Sequence, residues 1–285
     1  MVQAAREMSE ANKPQVGIIF SDVDGTLLTT DKRITSSAVA MIRRIFASGI
    51  PFCLVTARSP EGLAPVWCQL GLVGPMACFS GAYVLDADGT ELFSRTIPVD
   101  LAVEVKRYLE KTFSRASLSV YGYHDWVCAD ASDPRVQRES RNVGVMPREC
   151  RDIATEFAGR GVHKFLLIGE PDEISWAERT IAVRYPQLNV TRSSAILCEI
   201  MMAGASKSHA VEVLCKHYGI DRTHAVAFGD GRNDIDMLAV VEQSYAMRNG
   251  GEDVRVAATY VTRWTNDESG VARTLAELVG DGRLA

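Results

Sequence analysis

Apolar and polar positions in this chain fall into blocks that change period along its length. Residues 16–21 (VGIIFS) form a continuous apolar run, the pattern of a strand buried on both faces of a parallel sheet, and lead directly into Asp22-Val23-Asp24-Gly25-Thr26. Over residues 35–48 the apolar side chains Val39, Ile42, Ile45 and Phe46 recur at helical spacing, and Gly49 follows as a stop signal. A second apolar run, residues 50–55, ends in Thr56-Ala57-Arg58. Strand, helix, strand in this order predicts a βαβ unit, and hence a parallel sheet with helices on its faces. The rhythm returns late in the chain, with a predicted helix over 207–217, a buried strand over 225–228 and a polar loop, Gly229-Asp230-Gly231-Arg232-Asn233-Asp234, opening a helix that runs to Val240. Short strands over 244–247 and 259–261 and a helix over 271–279 complete the pattern.

Between these two parts the texture is different. Strand-like segments at 91–97, 118–123, 126–129, 164–168 and 189–191 alternate with helical ones near 99–111, 149–157 and 172–184. The predicted architecture is therefore α/β: a Rossmann-like parallel sheet with helices on both faces, interrupted by an inserted α+β domain. The expected divisions are a tail over 1–14, a first core part over 15–83, the insert over 84–196 and a second core part over 197–285.

Composition narrows the classes. With 285 residues, 47% of them hydrophobic and 24% charged, the chain has the apolar material for a full core. A formal charge of -5 advertises no broad basic surface, so no nucleic-acid partner is expected. The polar opening MVQAAREMSEANKPQ lacks the apolar stretch of a signal peptide, and no later run approaches the roughly 18 apolar residues of a membrane span. Seven cysteines with no CxxC pair argue against a disulfide framework. A cytoplasmic location without membrane attachment is the expectation.

In an open parallel sheet, ligands collect beyond the carboxyl ends of the strands. Three such ends carry polar groups here: Asp22 and Asp24 after the first strand, Thr56 after the second, and Asp230, Asn233 and Asp234 after the third. Residues two apart on an extended chain point to the same side, so Asp22 and Asp24 emerge together. Adding Asp230 brings three carboxylates to one crevice, which is unfavourable without a cation. An all-oxygen donor set selects a hard ion such as Mg²⁺.

Asp22-Val23-Asp24-Gly25-Thr26-Leu27-Leu28, read together with Gly229-Asp230-Gly231-Arg232-Asn233-Asp234, resembles the motifs of the haloacid dehalogenase superfamily. More narrowly the chain is similar to the Cof-type phosphatases of subclass IIB, whose large α/β cap of C2B type is inserted where the texture changes here. The resemblance implies that Asp22 is the nucleophile, forming an aspartyl-phosphate, and Asp24 the general acid and base. It implies Mg²⁺ bound by the Asp22 carboxylate, the Asp24 backbone carbonyl and the Asp230 carboxylate. Thr56 and the neighbouring amide of Ala57, Lys207 in Gly204-Ala205-Ser206-Lys207-Ser208, and Asn233 would hold the phosphoryl group. Asp234 would orient Lys207 or a metal-bound water, and Gly229 and Gly231 would supply unusual backbone geometry to the acidic loop. Glu199-Ile200, Ala246-Met247 and Asp267-Glu268-Ser269-Gly270-Val271 extend the similarity. Ala57, Ser80 and Arg248 depart from it, standing where glycine, asparagine and glycine are usual.

The implied activity is that of a phosphoric monoester hydrolase acting on a small phosphorylated metabolite, a sugar phosphate or a phosphorylated cofactor. A phosphomutase or other phosphotransferase using the same aspartyl-phosphate, and a non-catalytic ligand-binding module, are the alternatives. Tyr121, Tyr123, His124, Trp126, Arg138 and Arg141 could line a substrate pocket in the insert but are not assigned to the site.

Overall fold

The computed structural model describes residues 15–284, so the expected tail over 1–14 lies outside the described residues. The strands in chain order are β1 (Ile18–Ser21), β2 (Phe52–Val55), β3 (Met76–Cys78), β4 (Tyr83–Leu85), β5 (Glu91–Ser94), β6 (Ser117–Gly122) and β7 (Asp125–Cys128). They continue as β8 (Arg148–Glu149), β9 (Lys164–Ile168), β10 (Leu188–Ser194), β11 (Leu197–Met202), β12 (Ala225–Gly229), β13 (Gln243–Ala246) and β14 (Tyr260–Val261). The described chain divides into two compact units, one made of 15–55, 69–75 and 211–284, the other of 56–68 and 76–210.

The first unit holds five parallel strands in the order β14-β13-β12-β1-β2. Every residue of β1, β2 and β12 is buried, which is why these strands read as unbroken apolar runs. Ser21 lies in register with Phe228 on one side and Leu54 on the other, so the carboxyl ends of β1, β12 and β2 are level. The two ends of the chain thus meet at the β1–β12 pair, where strand order reverses. Helix Ser36–Ala47 starts at Thr35, whose hydroxyl accepts the Ala38 N–H at 3.3 Å. Its buried stripe is Ala38, Ile42 and Ile45, with helix Gly270–Gly280 packed against it; Val39 and Phe46 lie at the margin, half-buried.

The second unit contains the antiparallel meander β3-β4-β5 and a six-stranded sheet in the order β10-β11-β9-β6-β7-β8, antiparallel except for the β7–β8 pair. One face of the larger sheet presents Val120, Val127, Phe165, Leu167, Cys198 and Ile200 to a core shared with Ala102, Val105, Leu109, Ile174, Ala177 and Ile181, from helices Val99–Thr112 and Pro171–Arg184. The opposite face is also buried but is partly polar, carrying Ser119, Tyr121, Trp126, Lys164 and Glu199. The Tyr121 and Trp126 rings stack there at 5.1 Å.

His163 is enclosed beside that face, fully buried against Phe79, Tyr83 and Tyr123. Its Nδ1 accepts the Tyr123 N–H at 3.0 Å, while Nε2 and the Ser94 hydroxyl lie 3.0 Å apart. Burial pushes the imidazole pKa down to about 3, with the charge of His124 a smaller contribution.

Two local expectations are corrected. The helix predicted over 149–157 shortens to Ile153–Glu156, because Arg148–Glu149 pairs with β7 as a strand and Asp152 caps the later start through the Ala154 and Thr155 N–H groups. Helices Pro60–Leu70 and Pro134–Val143 were not predicted; one contains Pro65, and the other buries only Val136 and Ser140. None of the seven cysteines forms a disulfide; five are buried, with Cys68 exposed and Cys150 partly so.

Candidate active site

The end of β1 is held in line with β12 by the Asp22 N–H, which donates to the Phe228 carbonyl at 2.9 Å. The chain then turns sharply, and the N–H groups of Leu27 and Leu28 both donate to the Val23 carbonyl, at 3.1 and 2.9 Å. Gly25 makes this turn possible. Its φ is +82°, and a Cβ there would fall on the Asp230 carboxylate. Thr26 donates its hydroxyl to Asp230 Oδ1 at 2.7 Å, fixing that carboxylate from the loop after the neighbouring strand.

The β12 loop is organised around Asp234. Its Oδ2 accepts the N–H groups of Asp230 at 3.0 Å and Gly231 at 2.8 Å, and the residue is fully buried. Gly229 and Gly231 do not provide left-handed backbone as expected; Gly231 has a φ of -95°, and Gly229 is likewise outside the positive-φ region. They provide room: a Cβ on Gly229 would come 2.5 Å from the Asp234 Cβ, and one on Gly231 would come 2.5 Å from Asn233 Oδ1.

The result is a cluster of Asp22, Asp230 and Asp234, each offering a carboxylate oxygen within 4.8 Å of the others. Three negative groups at this range, two of them buried, repel strongly in a medium less polar than water. A hard divalent cation with oxygen ligands, such as Mg²⁺, fits this donor set. Asp234, expected in a supporting role, stands within the cluster itself. Asp24 is half-buried and its Oδ1 lies 2.7 Å from Lys32 Nζ, an ion pair with both side chains substantially exposed. Lys32 and the Thr26 contact were not predicted.

Further tethers explain the C-terminal motif. Asp267 accepts the N–H and hydroxyl of Thr30 at 2.7 and 2.8 Å, and these bonds lower its pKa. Asn266 donates to the Leu28 carbonyl at 2.9 Å, and Asn249 to the Gly25 carbonyl at 2.8 Å. Glu268 accepts the N–H and hydroxyl of Thr265 in a capping box. The loop after Asp24 is therefore anchored by residues more than 220 positions away. Arg248 is exposed and donates to the Arg263 carbonyl at 3.2 Å.

Thr56 directly follows β2 and is buried in the second unit. Its N–H donates to Ala77 and its carbonyl accepts from Ser80, both at 2.8 Å. Its hydroxyl oxygen accepts the Arg58 N–H at 3.2 Å. Ser80 takes a left-handed conformation (φ 52°, ψ 36°), which asparagine tolerates well, so the usual asparagine and the serine found here meet one backbone demand. Gly81 follows at φ +92°, and a Cβ on it would collide with the Ser206 carbonyl. The Ser80 turn and the chain before Lys207 are thus in backbone contact. Lys207 opens helix Lys207–Tyr218 and is 1% exposed. A lysine so completely buried is not a solvated first-turn residue, since lysine is almost never buried without a charge to answer.

The family model for haloacid dehalogenase-like hydrolases matches residues 19–275. The chain belongs to that family. This hydrolase is 34% identical over 91% of its length to a Haemophilus influenzae protein provisionally named a phosphatase, covering 97% of that protein. It is 27% identical to the Bacillus subtilis 5-amino-6-(5-phospho-D-ribitylamino)uracil phosphatase, covering 91% of this chain and 96% of that one. Among solved structures, a haloacid dehalogenase-like hydrolase from Bacteroides thetaiotaomicron superposes with a TM-score of 0.84 at 28% identity, over 93% of this hydrolase and 100% of the other. The expected Rossmann-like α/β class with an inserted cap holds. No helix among the described residues is long and apolar enough to cross a membrane.

Proposed function

We propose that this hydrolase is a Mg²⁺-dependent phosphatase that cleaves a small phosphorylated metabolite, a sugar phosphate or phosphorylated cofactor, through an aspartyl-phosphate. The reading is carried by the convergence of Asp22, Asp230 and Asp234 at the carboxyl ends of adjacent parallel strands. The names of its relatives supply the substrate class, since the Bacillus subtilis protein is a phosphatase of a phosphorylated ribitylaminouracil.

In this proposal the Asp22 carboxylate attacks phosphorus, and the bond to the leaving alkoxide breaks as Asp24 gives that oxygen a proton. Asp24, now a carboxylate, takes a proton from water, whose oxygen attacks phosphorus and releases orthophosphate and free Asp22. Bound by Asp22 and Asp230, with Asp234 beside them and the Asp24 carbonyl as a further ligand, Mg²⁺ would offset the charge that Asp22 and the phosphate bring together. Thr56, the Ala57 amide, Lys207 and Asn233 are assigned to the phosphoryl oxygens. The segment 84–196 is assigned as the cap.

Hydrolysis of p-nitrophenyl phosphate in Mg²⁺ by wild type, Asp22→Asn and Asp24→Asn tests the assignment. Asp22→Asn is expected to be inactive, and Asp24→Asn to lose a factor of about 10²–10⁴. Near-full activity in either variant would overturn the mechanism. A panel of phosphorylated sugars, pyrimidines, pyridoxal and flavin identifies the substrate, and transfer of phosphate to an added sugar hydroxyl in place of water would favour a phosphotransferase.

A further inference from the structure

Lys164 is a charged residue buried in the second unit for which the mechanism above has no use. It is 5% exposed and begins β9, between Tyr121 on β6 and Met201 on β11. Its ammonium lies 4.9 Å from the centre of the Tyr121 ring and 3.5 Å from Glu199 Oε2, which is equally enclosed. Removing two charges from water costs several kcal/mol per ion, so an arrangement like this is more often replaced by apolar packing unless the charge has a task. The task is visible in its remaining bond: Lys164 Nζ donates to the Ala57 carbonyl at 2.8 Å, across 107 residues of sequence.

That carbonyl belongs to the peptide unit joining Ala57 to Arg58. The other end of the same planar unit is the Arg58 N–H, which donates to Thr56 Oγ1 at 3.2 Å. Holding the carbonyl therefore fixes the direction of the N–H. Once that N–H occupies an acceptor site on the Thr56 oxygen, the hydroxyl proton is turned away from Arg58. A hydroxyl has one proton and two acceptor sites, so its donor direction is set by what fills the acceptors. The chain runs from Glu199 through Lys164 and the 57–58 peptide to the Thr56 hydroxyl, and every member lies in the same compact unit.

We propose that Lys164, supported by Glu199, is a positioning residue that aims the Thr56 hydroxyl at the phosphoryl group through the 57–58 peptide. This rests on the phosphatase reading, in which Thr56 is a phosphate donor. It assigns to the sheet of the inserted segment a part in binding the phosphate that every substrate shares, beyond any part in distinguishing one substrate from another.

The test uses the full chain and the pair Lys164→Met with Glu199→Gln, which removes both charges together and leaves no lone ion buried. Orthophosphate serves as a competitive inhibitor of p-nitrophenyl phosphate hydrolysis in Mg²⁺. The inhibition constant and KM are expected to rise about tenfold, the scale of one charge-assisted hydrogen bond, while kcat stays within about threefold. In a Thr56→Val background the same pair should change the inhibition constant less than twofold, because the hydroxyl it acts on is gone. Exchange of the Arg58 amide proton should accelerate in the paired variant. Equal effects with and without the Thr56 hydroxyl, or unchanged Arg58 exchange, overturn the positioning role while leaving the phosphatase reading intact. A wild-type chain that hydrolyses no phosphate ester overturns both. If the Met/Gln pair does not fold, Lys164→Gln with Glu199→Gln keeps polar side chains in place and is judged by the same criteria.

Discussion

His163 makes stability of the second unit sensitive to pH in a way that can be worked through. The Tyr123 N–H can only donate, so Nδ1 must be its acceptor and the neutral ring carries its proton on Nε2, towards Ser94. Burial disfavours the charged ring, the charge of His124 adds to this, and the pKa falls from 6.5 to about 3; protonating Nδ1 would in addition set two N–H groups against each other. Between those values the unfolded chain binds the proton and the folded one does not. The contribution is fully present above pH 6.5, shrinks as pH falls, and levels off below pH 3, where both states are protonated. From pH 7 to pH 5 the loss is about 2 kcal/mol, at roughly 1.4 kcal/mol per pH unit below 6.5. His163→Gln offers an acceptor to Tyr123 and a donor to Ser94 without titrating. Urea unfolding of both proteins at pH 7 and pH 5 isolates the difference: the wild type should lose about 2 kcal/mol more than the variant. Equal losses would show that His163 takes up its proton in the folded state as readily as in the unfolded one, and that its burial does not hold the ring neutral.

Two further predictions concern the acidic cluster. Gly25→Ala forces a side chain into a left-handed turn, costing about 1–2 kcal/mol, and also into the Asp230 carboxylate. Thermal melting should show the loss, and the Mg²⁺ concentration for half-maximal activity should rise; an unchanged metal requirement would separate Gly25 from the cluster. Mg²⁺ at about 100 times its dissociation constant should stabilise the protein by about 2.7 kcal/mol relative to chelator, or roughly 5–10 °C in Tm. Asp230→Asn should abolish this shift, and activity that survives thorough chelation would remove the metal from the mechanism.

How much of this was legible in the sequence depended on how local the determining contacts are. β1, β2 and β12 announce themselves because a strand covered on both faces needs no polar positions, and their ends carry Asp22, Thr56 and Asp230 in plain sight. Helix Pro134–Val143 has little apolar content, yet Asp133 capping ahead of Pro134, and Gly144 in the left-handed region after Val143, mark both its ends. Those signals could have found it, where hydrophobic period could not. Helix Pro60–Leu70 was hidden by Pro65 in its interior, although Ser59 caps the Gly62 N–H at 3.2 Å. The contacts of Thr26 with Asp230 and of Lys164 with Ala57 span 204 and 107 residues. No local period encodes such pairs, because they exist only once the sheets have formed. Lys32 reaches Asp24 over only eight residues, but through a loop in which Lys32 itself takes a φ of 58°, a conformation lysine does not signal.

The contact between Gly81 and the Ser206 carbonyl has a consequence for engineering. Residue 81 is a volume limit: any side chain there must push the two backbones apart and carry Ser80 and Lys207 away from each other. A library that varies other positions of the second unit can therefore keep this one spacer unchanged. A library that randomises position 81 will return mostly variants in which the turn and the lysine no longer share a common frame.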